Sequence, residues 1–111
     1  MSEPVLNPLE GDIEKAACEF ARRRGVIVKK LVIASEASWP DRTFLFRDHT
    51  MFIEFKRKGE TPTPLQSYTI DSLRSEGFVV HVCDDLKAAK TIIDEWTKEV
   101  SNVNYKLAGL R

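Results

Sequence analysis

The sequence predicts an α/β domain, a mixed β-sheet flanked by helices in the order α-β-β-β-α-β-α. Apolar residues recur at three- and four-residue spacing in three segments. Short β-branched and aromatic runs lie between those segments, and Gly and Pro mark the boundaries. The 111-residue length fits a single domain, 1–111, with a core from about 10 to 100. Residues 101–111 show no clear period and read as a tail or an interface segment.

Each element has its own signal. In 10–24, Ile13, Ala16, Ala17, Phe20 and Ala21 share a helical face, Asp12 or Asn7 is the expected cap, and Gly25 is a stop. Val26 to Ala34 is rich in β-branched residues and reads as a strand interrupted by Lys29-Lys30; Ser35 to Trp39 is a loop. Thr43 to Phe46 and Thr50 to Phe55 read as a hairpin turning through Arg47-Asp48-His49. Thr63-Pro64-Leu65-Gln66 is a helix start, with Thr as cap, Pro at the first helical position and Gln completing a capping box. That helix runs to about Glu76 with Leu65, Tyr68, Thr69 and Leu73 inward, and Gly77 ends it. Phe78 to Cys83 reads as a buried strand. Asp84 or Asp85 then caps a helix whose stripe is Leu86, Ala89, Ile92, Ile93 and Trp96. The helix between the third and fourth strands predicts a parallel pair there, after an antiparallel meander of the first three.

Apolar residues make up 42% and charged residues 31%, as in ordinary globular domains. No apolar run approaches the ~20 residues of a membrane span, and Met1-Ser2-Glu3-Pro4 lacks a signal-peptide pattern, so a cytoplasmic location is expected. Cys18 and Cys83 sit in apolar stretches and read as small core residues. The zero net charge conceals segregation. Residues 1–14 carry four acids and no base, and residues 15–58 carry eleven Lys/Arg against five Asp/Glu. A basic middle segment suits a polyanionic partner.

That segment holds Pro40-Asp41 and Glu54-Phe55-Lys56. A turn centred on Asp48-His49 sets Asp41 opposite Lys56 and Thr43 opposite Glu54, with all four side chains on one face. Asp41 and Glu54 become diagonal neighbours roughly 7–8 Å apart, a span two carboxylates bridge through one hard cation. Pro-Asp alone is a common turn. Glu54 lies in the apolar run Met51-Phe52-Ile53-Glu54-Phe55, where a carboxylate is costly unless paired or bound to a cation; the competing reading is a Glu54–Lys56 pair on an exposed face. Glu14 reads either as a solvated helix residue or as a third carboxylate, and Gln66 has its capping role. His49 and His81 have no ligand-like spacing, and Ser-His-Asp, Gly-rich phosphate-loop and Cys-X-X-Cys patterns are absent from the sequence.

With Asp-Ile-Glu14-Lys, Trp-Pro-Asp41, Phe-Ile-Glu54-Phe-Lys56 and Gln66 after Thr-Pro-Leu, the chain resembles the VRR-NUC family of the PD-(D/E)XK nuclease superfamily over about residues 10 to 96. The resemblance implies a restriction-endonuclease-like core and a Mg²⁺- or Mn²⁺-dependent endonuclease. Its metal ligands fall on Asp41, Glu54 and the Phe55 backbone carbonyl, with Glu14 as the helix carboxylate. Lys56 falls on the motif lysine and Gln66 on the motif glutamine. Small members resemble phage proteins and Holliday-junction resolvases, so the resemblance implies structure-specific or nicking activity on DNA, branched DNA included, by a homodimer, in a bacterial host cell if the protein is phage-encoded. Arg22, Arg23, Arg24, Lys29, Lys30, Arg42, Arg57 and Lys58 are the expected DNA-backbone contacts. The alternatives are a sequence-specific restriction-type nuclease and an inactive DNA-binding or assembly module of the same fold.

Overall fold

The computed structural model describes residues 9–109, with side chains described through residue 103. The elements are α1 (Glu10–Arg23), β1 (Ile27–Lys29), β2 (Arg42–Phe46), β3 (His49–Phe55), α2 (Pro64–Ser75), β4 (Val79–Cys83) and α3 (Leu86–Gly109). The four strands form one sheet in the order β1-β2-β3-β4. β1–β2 and β2–β3 are antiparallel, and β3–β4 is parallel. This is the expected order and sheet type.

The sheet buries two unlike faces. Phe44, Met51, Ile53 and Phe55 point to one side and pack with Ile13, Ala17, Cys18 and Ala21 of α1 and Ala89, Ile93, Trp96 and Val100 of α3. Each large side chain hidden there contributes about 1.5–3 kcal/mol. The other side holds a smaller cluster of Phe52, Ile70 and Val80, edged by Trp39, Leu73 and Val82. Here α2 covers only the β3–β4 half, and Ile27 and Leu45, paired across β1–β2, remain exposed.

Local chemistry sets the boundaries. α1 and α2 both close on a glycine with positive φ, Gly25 and Gly77. In each, the next residue's N–H reaches back to a helix carbonyl: Val26 to Ala21 at 3.1 Å and Phe78 to Leu73 at 3.1 Å. α2 opens with the expected capping box of Thr63 and Gln66. Asp85 caps α3 through the Ala88 N–H at 2.9 Å.

Several expectations are corrected. α1 begins after Leu9 with no side-chain cap, so Asp12 lies inside the helix; Asn7 lies outside the described residues. The first strand is only Ile27–Lys29: its pairing ends at Lys29 with Thr43, and the chain then loops through a tight Ile33–Glu36 bridge. On α2 the buried residues are Thr69 and Ile70, while Leu65 and Tyr68 are exposed, since among the described residues none covers that side of the helix. Residues 101–109 continue α3. The hairpin turns on Arg47-Asp48, both in the left-handed region, rather than on Asp48-His49. A two-residue turn of that hand matches the twist of its strands. The register therefore differs by two residues from expectation, and because side chains alternate with period two, every residue keeps its face. Cys18 and Cys83 are both buried and free, and burial pushes both thiols up, Cys83 to about 11. Among the described residues no helix is long and apolar enough to cross a membrane.

Candidate active site

The last pair of the β2–β3 ladder is Arg42 with Ile53, and one step further Asp41 stands directly opposite Glu54. The two carboxylates interlock through each other's backbone. Asp41 N–H donates to Glu54 Oε1 at 3.1 Å, and Phe55 N–H donates to Asp41 Oδ2 at 2.8 Å. Ser38 and Trp39 hold the loop that delivers Asp41: the Ser38 hydroxyl lies 2.7 Å from that of Thr69 on α2, and the Trp39 ring meets Phe52 edge-on at 5.5 Å. Sequence reasoning passed over both as site-building residues, although Trp39 immediately precedes Pro40.

Glu54 is 2% exposed and Lys56 8% exposed, on the α2 side of β3. Lys56 Nζ lies 3.3 Å from Glu54 Oε2 and donates to Gln66 Oε1 at 2.8 Å. That same oxygen accepts the Thr63 N–H at 3.0 Å, so the helix cap and the lysine share one anchor. The Lys56 N–H donates to the Cys83 carbonyl at 2.8 Å, which carries the parallel ladder one residue past β3 and fixes the lysine backbone. Burial, reinforced by the Asp41 carboxylate, pushes the Glu54 carboxyl up to about 7, although Lys56 opposes the shift. A buried carboxylate facing a second one is short of positive charge.

Glu14 comes from the first turns of α1. It lines a cleft of about 490 Å³ together with Asp41, Lys30 and Arg57. Its carboxylate pairs with the Arg42 guanidinium, both side chains being largely buried. Alternation along β2 explains the partnership: Asp41 and Arg42 point to opposite faces, and α1 lies on the Arg42 side. Among the described residues no three His, Cys, Asp or Glu side chains gather closely enough to enclose a metal ion. Mg²⁺ commonly takes only one or two carboxylates and completes its shell with water, so the interlocked Asp41 and Glu54 with a nearby backbone carbonyl suit it by donor type and charge.

The basic residues divide into two groups. Lys30 and Arg57 line the cleft with Asp41, with Lys29 and Lys58 beside them in sequence. Arg22, Arg23 and Arg24 lie at the opposite end of α1 from Glu14, and Arg24 is bound to Asp94 at 2.7 Å. Arg42 is occupied by Glu14.

A four-stranded mixed sheet with this element order, flanked by helices, is a restriction-endonuclease-like, nuclease-type fold. A solved structure described as "VRR_NUC domain" superposes with a TM-score of 0.71 at 29% identity, covering 77% of this chain and 94% of its own. No family model matches the sequence, and no curated protein sequence does. The likeness in fold and sequence to that domain supports the resemblance to the VRR-NUC family.

Proposed function

We propose that this chain, as a single nuclease domain, is a divalent-metal-dependent DNA endonuclease. The observation that carries the reading is Glu54: a 2% exposed carboxylate directly across from Asp41, with Lys56 at 3.3 Å held by Gln66. Asp41, Glu54 and the Phe55 carbonyl would hold Mg²⁺ or Mn²⁺, with Glu14 contributing its charge from the cleft wall. The cation, when bound, supplies Lewis-acid polarisation of the phosphodiester and eases deprotonation of the attacking water.

The remaining work falls to the chain. Asp41 and Glu54 have their geometry fixed by the amides they accept, so they need no rearrangement to receive a cation. Lys56 has ammonium protons beyond the one given to Gln66, available to orient the water or to stabilise the charge developing on the phosphate. Gln66 keeps that ammonium aimed, because its own oxygen is fixed by the start of α2. Lys29, Lys30, Arg57 and Lys58 are the cleft-side phosphate contacts. We assign the activity to structure-specific cleavage or nicking of DNA, branched DNA included, by a homodimer, since paired incisions need two centres.

Incubation with supercoiled, linear, flap and four-way DNA in Mg²⁺ or Mn²⁺, beside Glu54→Ala, tests the reading. Cleavage that vanishes in the variant is expected, and equal cutting by both proteins overturns it. The Glu14–Arg42 pair favours one rival, a DNA-binding module that keeps the fold without the chemistry. Absence of cleavage on every substrate with either ion would favour that rival.

A further inference from the structure

A second basic concavity lies at the far end of the β2–β3 hairpin from the carboxylates. It has a volume of about 500 Å³ and is bounded by Arg24, Phe46, Arg47, Lys98, Ser101 and Asn102. Three elements meet there: the end of α1, the hairpin turn and the middle of α3. Along β2 alone the separation from Asp41 is roughly 17 Å, at about 3.4 Å per residue, and the concavity opens on the α1/α3 side of the sheet whereas Asp41 and Glu54 face α2, so a DNA that touches both passes around the sheet end.

Its charge is unbalanced. Asp94 accepts from both Arg24, at 2.7 Å, and Lys98, at 2.9 Å. Arg47 has no carboxylate partner among the described residues; it donates to the Ser101 hydroxyl at 3.4 Å and lies over the Phe46 ring at 5.0 Å. Three cations thus face one acid. The carbonyl end of α1 opposes an anion with about half a charge, less than the excess of two positive charges.

Arg47 also breaks a local rule. It occupies the left-handed region at φ 48°, where two-residue hairpins favour Asn, Asp or Gly. A bulky cation at this strained turn position borders the basic concavity, where its guanidinium can meet an anion.

We propose that Arg47, Arg24 and Lys98 form a second phosphate-binding site, which takes a backbone phosphate of bound DNA distant from the scissile bond. Arg47 supplies the guanidinium fork, with Ser101 and Asn102 as neutral partners. Only the source of the phosphate rests on the nuclease reading. The site lengthens the footprint without reading sequence.

The test is duplex binding by the full chain without divalent cation, measured by fluorescence anisotropy over a salt series. Arg47→Asn is the main variant, because Asn adopts the left-handed turn more readily and folding is preserved. It is expected to weaken binding about threefold to tenfold at low salt and to reduce the slope of log K against log salt by ~0.9, the loss of one phosphate contact. Asp94→Asn, which releases Arg24 and Lys98, is expected to strengthen binding. An unchanged slope and affinity in Arg47→Asn would overturn the site. A parallel titration with inorganic phosphate, followed by NMR at Arg47 and Ser101, separates the sources: shifts there with no change in DNA slope would overturn the DNA assignment. The two readings fail separately. A loss of affinity in Arg47→Asn, in a protein that cleaves no DNA, keeps the site and rejects the endonuclease. Cleavage sensitive to Glu54→Ala, with Arg47→Asn binding like the parent, does the reverse.

Discussion

The two faces of β3 place side chains of one short strand in opposite physical situations. Toward α1 and α3, Met51, Ile53 and Phe55 are fully buried among apolar neighbours. Toward α2, Phe52 is followed by Glu54 and, just past the strand, Lys56, both nearly as buried but charged. The first face contributes stability in proportion to area removed from water. The second spends part of that stability on holding a carboxylate pair and a lysine in fixed positions. An apolar strand carrying Glu54 and Lys56 is therefore best understood as a rigid mount, with folding energy supplied from one side and charged side chains held in place on the other.

The largest expected effect separates these faces by activity. Lys56→Ala is expected to reduce metal-dependent DNA cleavage by about 10²- to 10³-fold, and Glu54→Ala by at least as much, with the fold retained. Plasmid-nicking rates beside circular dichroism check this, and a variant that unfolds would show that the α2 face is structural after all. Phe55→Ala, one residue away on the other face, is expected to cost about 3–5 kcal/mol of stability in urea unfolding, because the cavity cannot be filled. A loss below 1 kcal/mol would mean that the two faces are less different than described.

Arg42 sharpens the comparison. Its partner is Glu14, so Arg42→Gln is expected to destabilise the fold by about 1–2 kcal/mol, the cost of a lost charge-assisted hydrogen bond. The salt slope of DNA binding should stay unchanged. A reduced slope with unchanged stability would return Arg42 to the phosphate contacts.

The smallest effect is in pH. Glu54 has its folded pKa raised to about 7, from 4.5, by burial and by Asp41. The folded state therefore binds the proton more tightly than the unfolded state. Its stabilising contribution is full below about pH 4.5 and is lost as pH rises through 7. Metal-free thermal melts should show this decline, and Glu54→Gln should flatten it. A parent profile that rises from pH 6 to 8 and is unchanged by Glu54→Gln would contradict the buried, charge-deficient site.

Much of this arrangement is legible in the chain because it depends on period. The α1 and α3 stripes, the Thr63–Gln66 box and the parallel step from β3 to β4 all follow from spacing and punctuation. The shared face of Asp41, Glu54 and Lys56 survives a two-residue error in register, since the error is even. The error itself arose because Arg-Asp is an unusual pair for a left-handed turn, and composition there does not mark the turn's centre. The exposure of Leu65 and Tyr68 depends on how little of α2 the sheet covers, a tertiary fact with no local signal. The Glu14–Arg42 pair joins residues 28 apart in sequence, and only the packing of α1 on the sheet brings them together.

The central claim is that the interlocked Asp41 and Glu54 hold a divalent cation. Titration of the purified chain with Mn²⁺, followed by electron paramagnetic resonance, addresses it without relying on any substrate. Saturable Mn²⁺ binding by the parent, lost in both Asp41→Asn and Glu54→Gln while their folds persist, is the expected result. Mn²⁺ binding that is absent from the parent, or equally strong in both variants, would contradict it.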